Sequence, residues 1–193
     1  MNKSFAFTIT TLAATGASTA LAHPGHDVAT GAIAGLMHPV TGIDHLIFLV
    51  GAGALLALTS ARDCLLAGAA MVAALAGGAL LGLIGVQLPA LDWVIAASVL
   101  AVGVALAMAT FAGGAWVLAG AALFALCHGI AHGAEASAPR GAFVAGFLLS
   151  SLLVSSVAAL VARVYLQRAA VRVAMGTSIG AGGLALLGSL LFG

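Results

Sequence analysis

The chain has 193 residues, of which 63% are hydrophobic and only 6% charged, with a net charge of +1. Soluble domains carry about 25% charged residues, so a water-soluble fold is excluded, and so small a charge gives no electrostatic reason for a nucleic-acid partner. What remains is an all-α bundle whose helices face membrane lipids and satisfy their backbone N–H and C=O groups internally.

In chain order, Lys3 precedes an apolar, Thr- and Ala-rich stretch over 5–17 and then Ala20-Leu21-Ala22. A basic start, a short apolar core and an A-x-A site predict a cleavable signal peptide over residues 1–22. The core is too short for the roughly 20 apolar residues of a span. Cleavage would expose His23, so the mature chain would open His23-Pro24-Gly25-His26-Asp27. An amine, two imidazoles and a carboxylate can chelate a borderline divalent cation, and they can equally form a polar leader to the first helix.

Polar breaks then divide residues 23–193 into six apolar segments, over 29–58, 64–86, 91–109, 112–134, 141–163 and 170–192. Each is long enough to cross a bilayer, which predicts a single six-helix transmembrane domain. The break at Ala112-Gly113-Gly114 carries only small residues. Secretion of the amino terminus puts both mature termini outside, and the loops holding Arg62, Arg163, Arg168 and Arg172 then face the cytoplasm. Only Arg140 stands on an exterior loop, as the positive-inside rule asks of a bacterial inner-membrane protein.

The first segment contains His38-Pro39-Val40-Thr41-Gly42-Ile43-Asp44-His45. At about 100° per residue, His38 and His45 share a helical face, with Asp44 at its flank as a ligand or as an orienting partner for His45. Pro39 begins the crossing helix or kinks it by freeing the carbonyl of Gly35. Irregular backbone at membrane depth belongs at a cavity or an ion site.

Glycines recur at helical spacing at Gly78, Gly82 and Gly85 and again at Gly176, Gly180 and Gly183. They let helices approach closely, within one bundle or between copies in a homo-oligomer. The fourth segment ends Cys127-His128-Gly129-Ile130-Ala131-His132-Gly133-Ala134-Glu135. His132 and Glu135 fall within about 60° of His128, and Gly129 and Gly133 clear room beside that stripe for a helix or an ion. Span direction brings both motifs to the outer half of the bilayer, beneath the His23 to Asp27 tail.

Ionisable groups inside spans are costly and mark function, and imidazole with carboxylate suits nickel, cobalt, zinc or copper(II) better than calcium or magnesium. Ser150, Ser151, Ser155 and Ser156 line a path or bond back to their own helix. Met71 and Met108 read as packing residues, Asp92 and Trp93 as an interfacial anchor. Cys64 and Cys127 belong to no Cys-x-x-Cys pair, so no disulfide framework is expected.

The His-Pro-x-x-Gly-x-Asp-His and His-Gly-x-Ala-His-Gly-x-Glu strings, in that order behind the signal peptide and the His-Pro-Gly-His-Asp start, resemble the HupE/UreJ family. Its members are described as secondary nickel transporters, some linked to cobalt. The resemblance implies that His38, Asp44, His45, His128, His132 and Glu135 handle the metal in a non-enzymatic transporter, and it is what selects nickel. Two other readings compete: an intramembrane zinc hydrolase with Glu135 or Asp44 as acid or base, and a b-type cytochrome with histidine-ligated haem. No G-x-x-x-x-G-K-[ST] loop is present for nucleotide hydrolysis.

Overall fold

A computed structural model describes residues 30–108 and 115–192. The expected signal peptide, the His23 to Asp27 tail and the break at Ala112 to Gly114 lie outside them. The described residues are helical with short connections: α1 (Ala32–Thr41), α2 (Ile43–Leu56), α3 (Ala61–Leu83), α4 (Leu91–Met108), α5 (Ala115–Glu135), α6 (Arg140–Tyr165) and α7 (Ala169–Phe192).

Segment ends follow local chemistry. The Ser60 hydroxyl accepts from the Asp63 backbone N–H at 3.1 Å and caps α3, while Pro139 precedes the first turn of α6, where its missing N–H costs nothing. Four helices, α3, α4, α6 and α7, are long and apolar enough to cross a membrane, and α1 with α2 counts as a fifth crossing if taken as one bent span. The protein is a multi-pass α-helical membrane protein.

The irregular backbone expected in the first segment, over 29–58, is present, but not at Pro39 itself. The segment breaks at Gly42, where α1 and α2 meet at 78°. Pro39 lies inside α1 and has no N–H to offer the Gly35 carbonyl, but the chain turns three residues later. There Gly42 adopts extended angles and its N–H bonds the His38 carbonyl at 3.0 Å.

Glycine sets how the helices pair. A Cβ on Gly129 would collide with the Leu75 carbonyl, one on Gly133 with the Ala79 carbonyl, and one on Gly82 with the Ile130 carbonyl. Rising numbers meet rising numbers, so α3 and α5 run parallel. Gly35 meets Phe143 and Gly53 meets Ser155, so the broken helix runs parallel to α6. Gly103 meets Gly176 and Gly180 while Gly183 meets Leu100, so α4 and α7 are antiparallel.

The second glycine set and Gly78 with Gly82 therefore pack within one chain. Gly85 does not join them: at φ +87 it takes the left-handed turn that ends α3. Met71 is buried in the core with Phe48, Leu75, Val99, Leu106 and Phe147, but Met108 is exposed on the bundle surface rather than packed.

These directions gather 30–45, 84–92, 135–140 and the end of α7 at one end of the bundle. Of the described ionisable residues, Asp44, Asp92, Glu135 and Arg140 stand there, while Arg62, Asp63, Arg163, Arg168 and Arg172 stand at the other end.

Candidate metal site

The break at Gly42 is what lets one segment supply two imidazoles to one place. His38 comes from the last turn of α1 and His45 from the first turn of α2, and their ring centroids are 6.4 Å apart across the bend. The same-face argument for an unbroken helix does not apply; the bend does that work instead. A Cβ on Gly42 would sit 3.3 Å from Asp44 Oδ1 and 3.4 Å from His45 Nδ1, so glycine leaves room for that pair.

From the other side, α5 stays helical through Glu135 and presents His128, His132 and Glu135 one turn apart. Its glycines, on the face toward α3, seat the helix so that the histidine stripe turns toward α1 and α2. The room beside the stripe thus admits a helix, α3.

The result is a file of rings. Glu135 Oε2 lies 3.1 Å from His38 Nε2 at the exposed mouth. The His132 ring comes next, 4.6 Å from His38 and 3.9 Å from His45 between centroids, and His45 lies 4.5 Å from His128. Side-chain exposure is 60% at Glu135 and 33% at His38, whereas His132 and His128 are fully buried. All six intramembrane residues singled out by the sequence therefore meet in one cluster; His23 and His26 lie outside the described residues.

Ligand geometry favours the mouth. His38, His132 and Glu135 each offer a ligand atom within 4.8 Å of the others. Two atoms on one zinc-like ion, at about 2.0–2.1 Å from it, stand about 3–3.5 Å apart, and the His38–Glu135 pair is already at that spacing. At the other edge of the cluster, half-buried Asp44 accepts through Oδ1 from His45 Nδ1 at 3.0 Å, which orients the ring and makes its other nitrogen a better electron-pair donor.

Within the cluster, four buried nitrogens have no partner: His45 Nε2, His128 Nδ1 and both nitrogens of His132. An unsatisfied buried polar atom costs about 1–3 kcal/mol. Each neutral ring keeps one bare nitrogen, which can accept a hydrogen bond or bind a cation.

Aromatic residues wall the file, and sequence reasoning missed them. Phe48 stacks on His128 at 4.2 Å and 16°, Phe147 lies 4.1 Å from His132, and Phe143 lies 5.4 Å from His38. Also missed was Ser98 on α4, fully buried with its hydroxyl 2.9 Å from His128 Nε2. The signal was present, because Ser98 is the single hydroxyl in an otherwise apolar run from Val94 to Met108.

Other candidates fall away from the site. Ser155 bonds back to the Ser151 carbonyl at 2.7 Å, and Cys64 and Cys127 are free thiols. A groove of about 580 Å³ between α2, α6 and α7 is lined by Val50, Val157, Tyr165 and Met175 and has nothing to bind an ion. A smaller cleft of about 170 Å³ opens beside Asp44, between Asp92 and Ser189.

Fold and site together define a multi-pass membrane protein with a histidine and carboxylate cluster at one end of its bundle. The family model described as HupE / UreJ protein matches residues 11–187, and the chain belongs to that family. It is similar to Protein HupE of Rhizobium leguminosarum bv. viciae, at 35% identity over 127 residues. That alignment covers 65% of this chain and 66% of the relative, just under two thirds of the relative's length. No solved structure matches the chain.

Proposed function

We propose that this protein is a secondary transporter that takes up a divalent transition-metal ion, nickel first, across the bacterial cytoplasmic membrane. The observation that carries this reading is the file of four imidazoles leading from an exposed carboxylate to a buried interior. His38, His132 and Glu135 take the ion at the mouth, where imidazole and carboxylate replace water, and His45, oriented by Asp44, and His128 receive it further in. In the mature chain the tail with His23 and His26 supplies the first ligands.

Topology supports an inward direction. Counting α5, which is 21 residues long, the broken helix and the four long helices make six spans, and the three glycine-packed pairs have the relative directions that six alternating spans require. The four-arginine end is then cytoplasmic by the positive-inside rule, with the site and both mature termini on the outside. A divalent ion entering a negative interior gains about 4.6 kcal/mol per 100 mV, at roughly 2.3 per charge.

The alternatives have less support. A hydrolase needs one closed metal with an open water position, whereas here four imidazoles lie against one another in succession. A haem needs axial ligands on its two faces, and rings packed 3.9 to 6.4 Å apart leave no slot for a macrocycle.

Uptake of labelled nickel into proteoliposomes is the direct test. His38→Ala combined with His132→Ala is expected to lower it at least 100-fold, with folding checked by circular dichroism. Unchanged, metal-selective uptake in the folded double variant would overturn the proposal.

A further inference from the structure

Ser98 stands outside both sequence motifs, on a helix that contributes no other polar group to the cluster. Its hydroxyl lies 2.6 Å from the Ile95 carbonyl, one turn back on α4, and 2.9 Å from His128 Nε2. One hydroxyl has one proton to give. The shorter contact takes it: the carbonyl of Ile95 can only accept, so the proton points there, as serines on helices commonly arrange. The oxygen then faces His128 with lone pairs only, and His128 Nε2 must carry the hydrogen.

We infer that Ser98 is a positioning residue that holds neutral His128 as its Nε2–H tautomer and so makes Nδ1 the ligand atom for a divalent transition metal. Three observations agree with this assignment. His128 Nδ1 is buried without any partner, as a lone pair reserved for a guest would be. Phe48 stacks flat on the imidazole and holds its plane, which leaves only the choice of nitrogen for Ser98 to make. The neighbouring ring is set in the opposite sense: Asp44 accepts from His45 Nδ1, leaving Nε2 bare.

These two neighbouring imidazoles, 4.5 Å apart between ring centroids, thus leave different nitrogens unpaired, Nε2 on His45 and Nδ1 on His128. A proton on either atom would put an N–H where an ion needs a lone pair. Ser98 and Asp44 do the same job from opposite sides, one with a neutral oxygen and the other with a charged one. No proton is gained or lost in this arrangement; only its place on the ring is decided. The metal clause rests on the uptake reading above, whereas the tautomer clause does not.

The test is ¹⁵N spectroscopy of histidine-labelled, metal-free protein in lipid bilayers, where protonated and bare ring nitrogens resonate far apart. The His128 signals are assigned by their loss in His128→Gln. Wild-type protein is expected to show a hydrogen on Nε2 and a bare Nδ1. Ser98→Ala, which removes one oxygen from a packed position, is expected to redistribute His128 between both tautomers and to weaken Ni²⁺ binding about tenfold by titration. Ser98→Thr keeps the hydroxyl and is expected to restore both.

A hydrogen on Nδ1 in the wild-type protein would overturn the inference without any variant, and so would an unchanged tautomer in Ser98→Ala. A redistributed tautomer with unchanged Ni²⁺ affinity would overturn the ligand-atom assignment. A single Nε2–H tautomer in a wild-type protein that binds no Ni²⁺ would uphold the role of Ser98 while the uptake reading failed.

Discussion

Two of the three glycine seams in this bundle differ in what lies behind them. Between α3 and α5, Gly78, Gly82, Gly129 and Gly133 bring two parallel helices into backbone contact. Between α4 and α7, Gly103, Gly176 and Gly183 do the same for an antiparallel pair. The first seam backs onto a face carrying His128, His132 and Glu135, whereas neither helix of the second carries a histidine. Close packing by small residues is therefore the shared scaffold, and function comes from what a helix carries on its other side.

Gly133→Leu and Gly103→Leu test that separation with the largest expected effect. Each forces a side chain into a facing backbone, beyond the usual 1–3 kcal/mol of overpacking, and each should lower thermal stability in detergent by a similar amount. Gly133→Leu should also abolish Ni²⁺ binding in whatever folded protein remains, because it displaces the histidine stripe, whereas Gly103→Leu should weaken it no more than the loss of Ser98 does. Equal loss of binding in both variants would mean that the seams are not separate in function.

Asp44→Asn is smaller and acts at the site alone. The amide can still accept from His45 Nδ1 but without charge, so Ni²⁺ affinity should fall about tenfold with little change in melting temperature. Binding that stays intact would show that His45 is held by its packing. Smallest is Ser155→Ala: its hydroxyl serves only its own helix, so stability should stay within about 0.5 kcal/mol and uptake should not change. A marked loss of uptake would return the α6 serines to the conduction path.

Much of this was legible before any coordinates. Composition alone requires lipid-facing helices, and the apolar segments lie within a few residues of the helices found, because a bilayer imposes one length on every span. The six intramembrane candidates were legible too, since charge and imidazole in such a chain have few structural uses. Gly85 shows the limit: its spacing matches the seam glycines, yet it ends a helix, and spacing does not distinguish packing from turning.

Ser98 and the aromatic wall were harder to read, because they come from α4, α2 and α6, and no one-dimensional pattern links them to the histidines. The sequence by itself determined the class of fold and which side chains could bind a metal, because hydropathy and donor chemistry are properties of residues. Only the tertiary structure decided that His38 and His45 meet across a bend rather than along a face, and which nitrogens stand free. Those depend on which atoms approach in space, and that is decided by the break at Gly42 and by helices that pair across long stretches of chain.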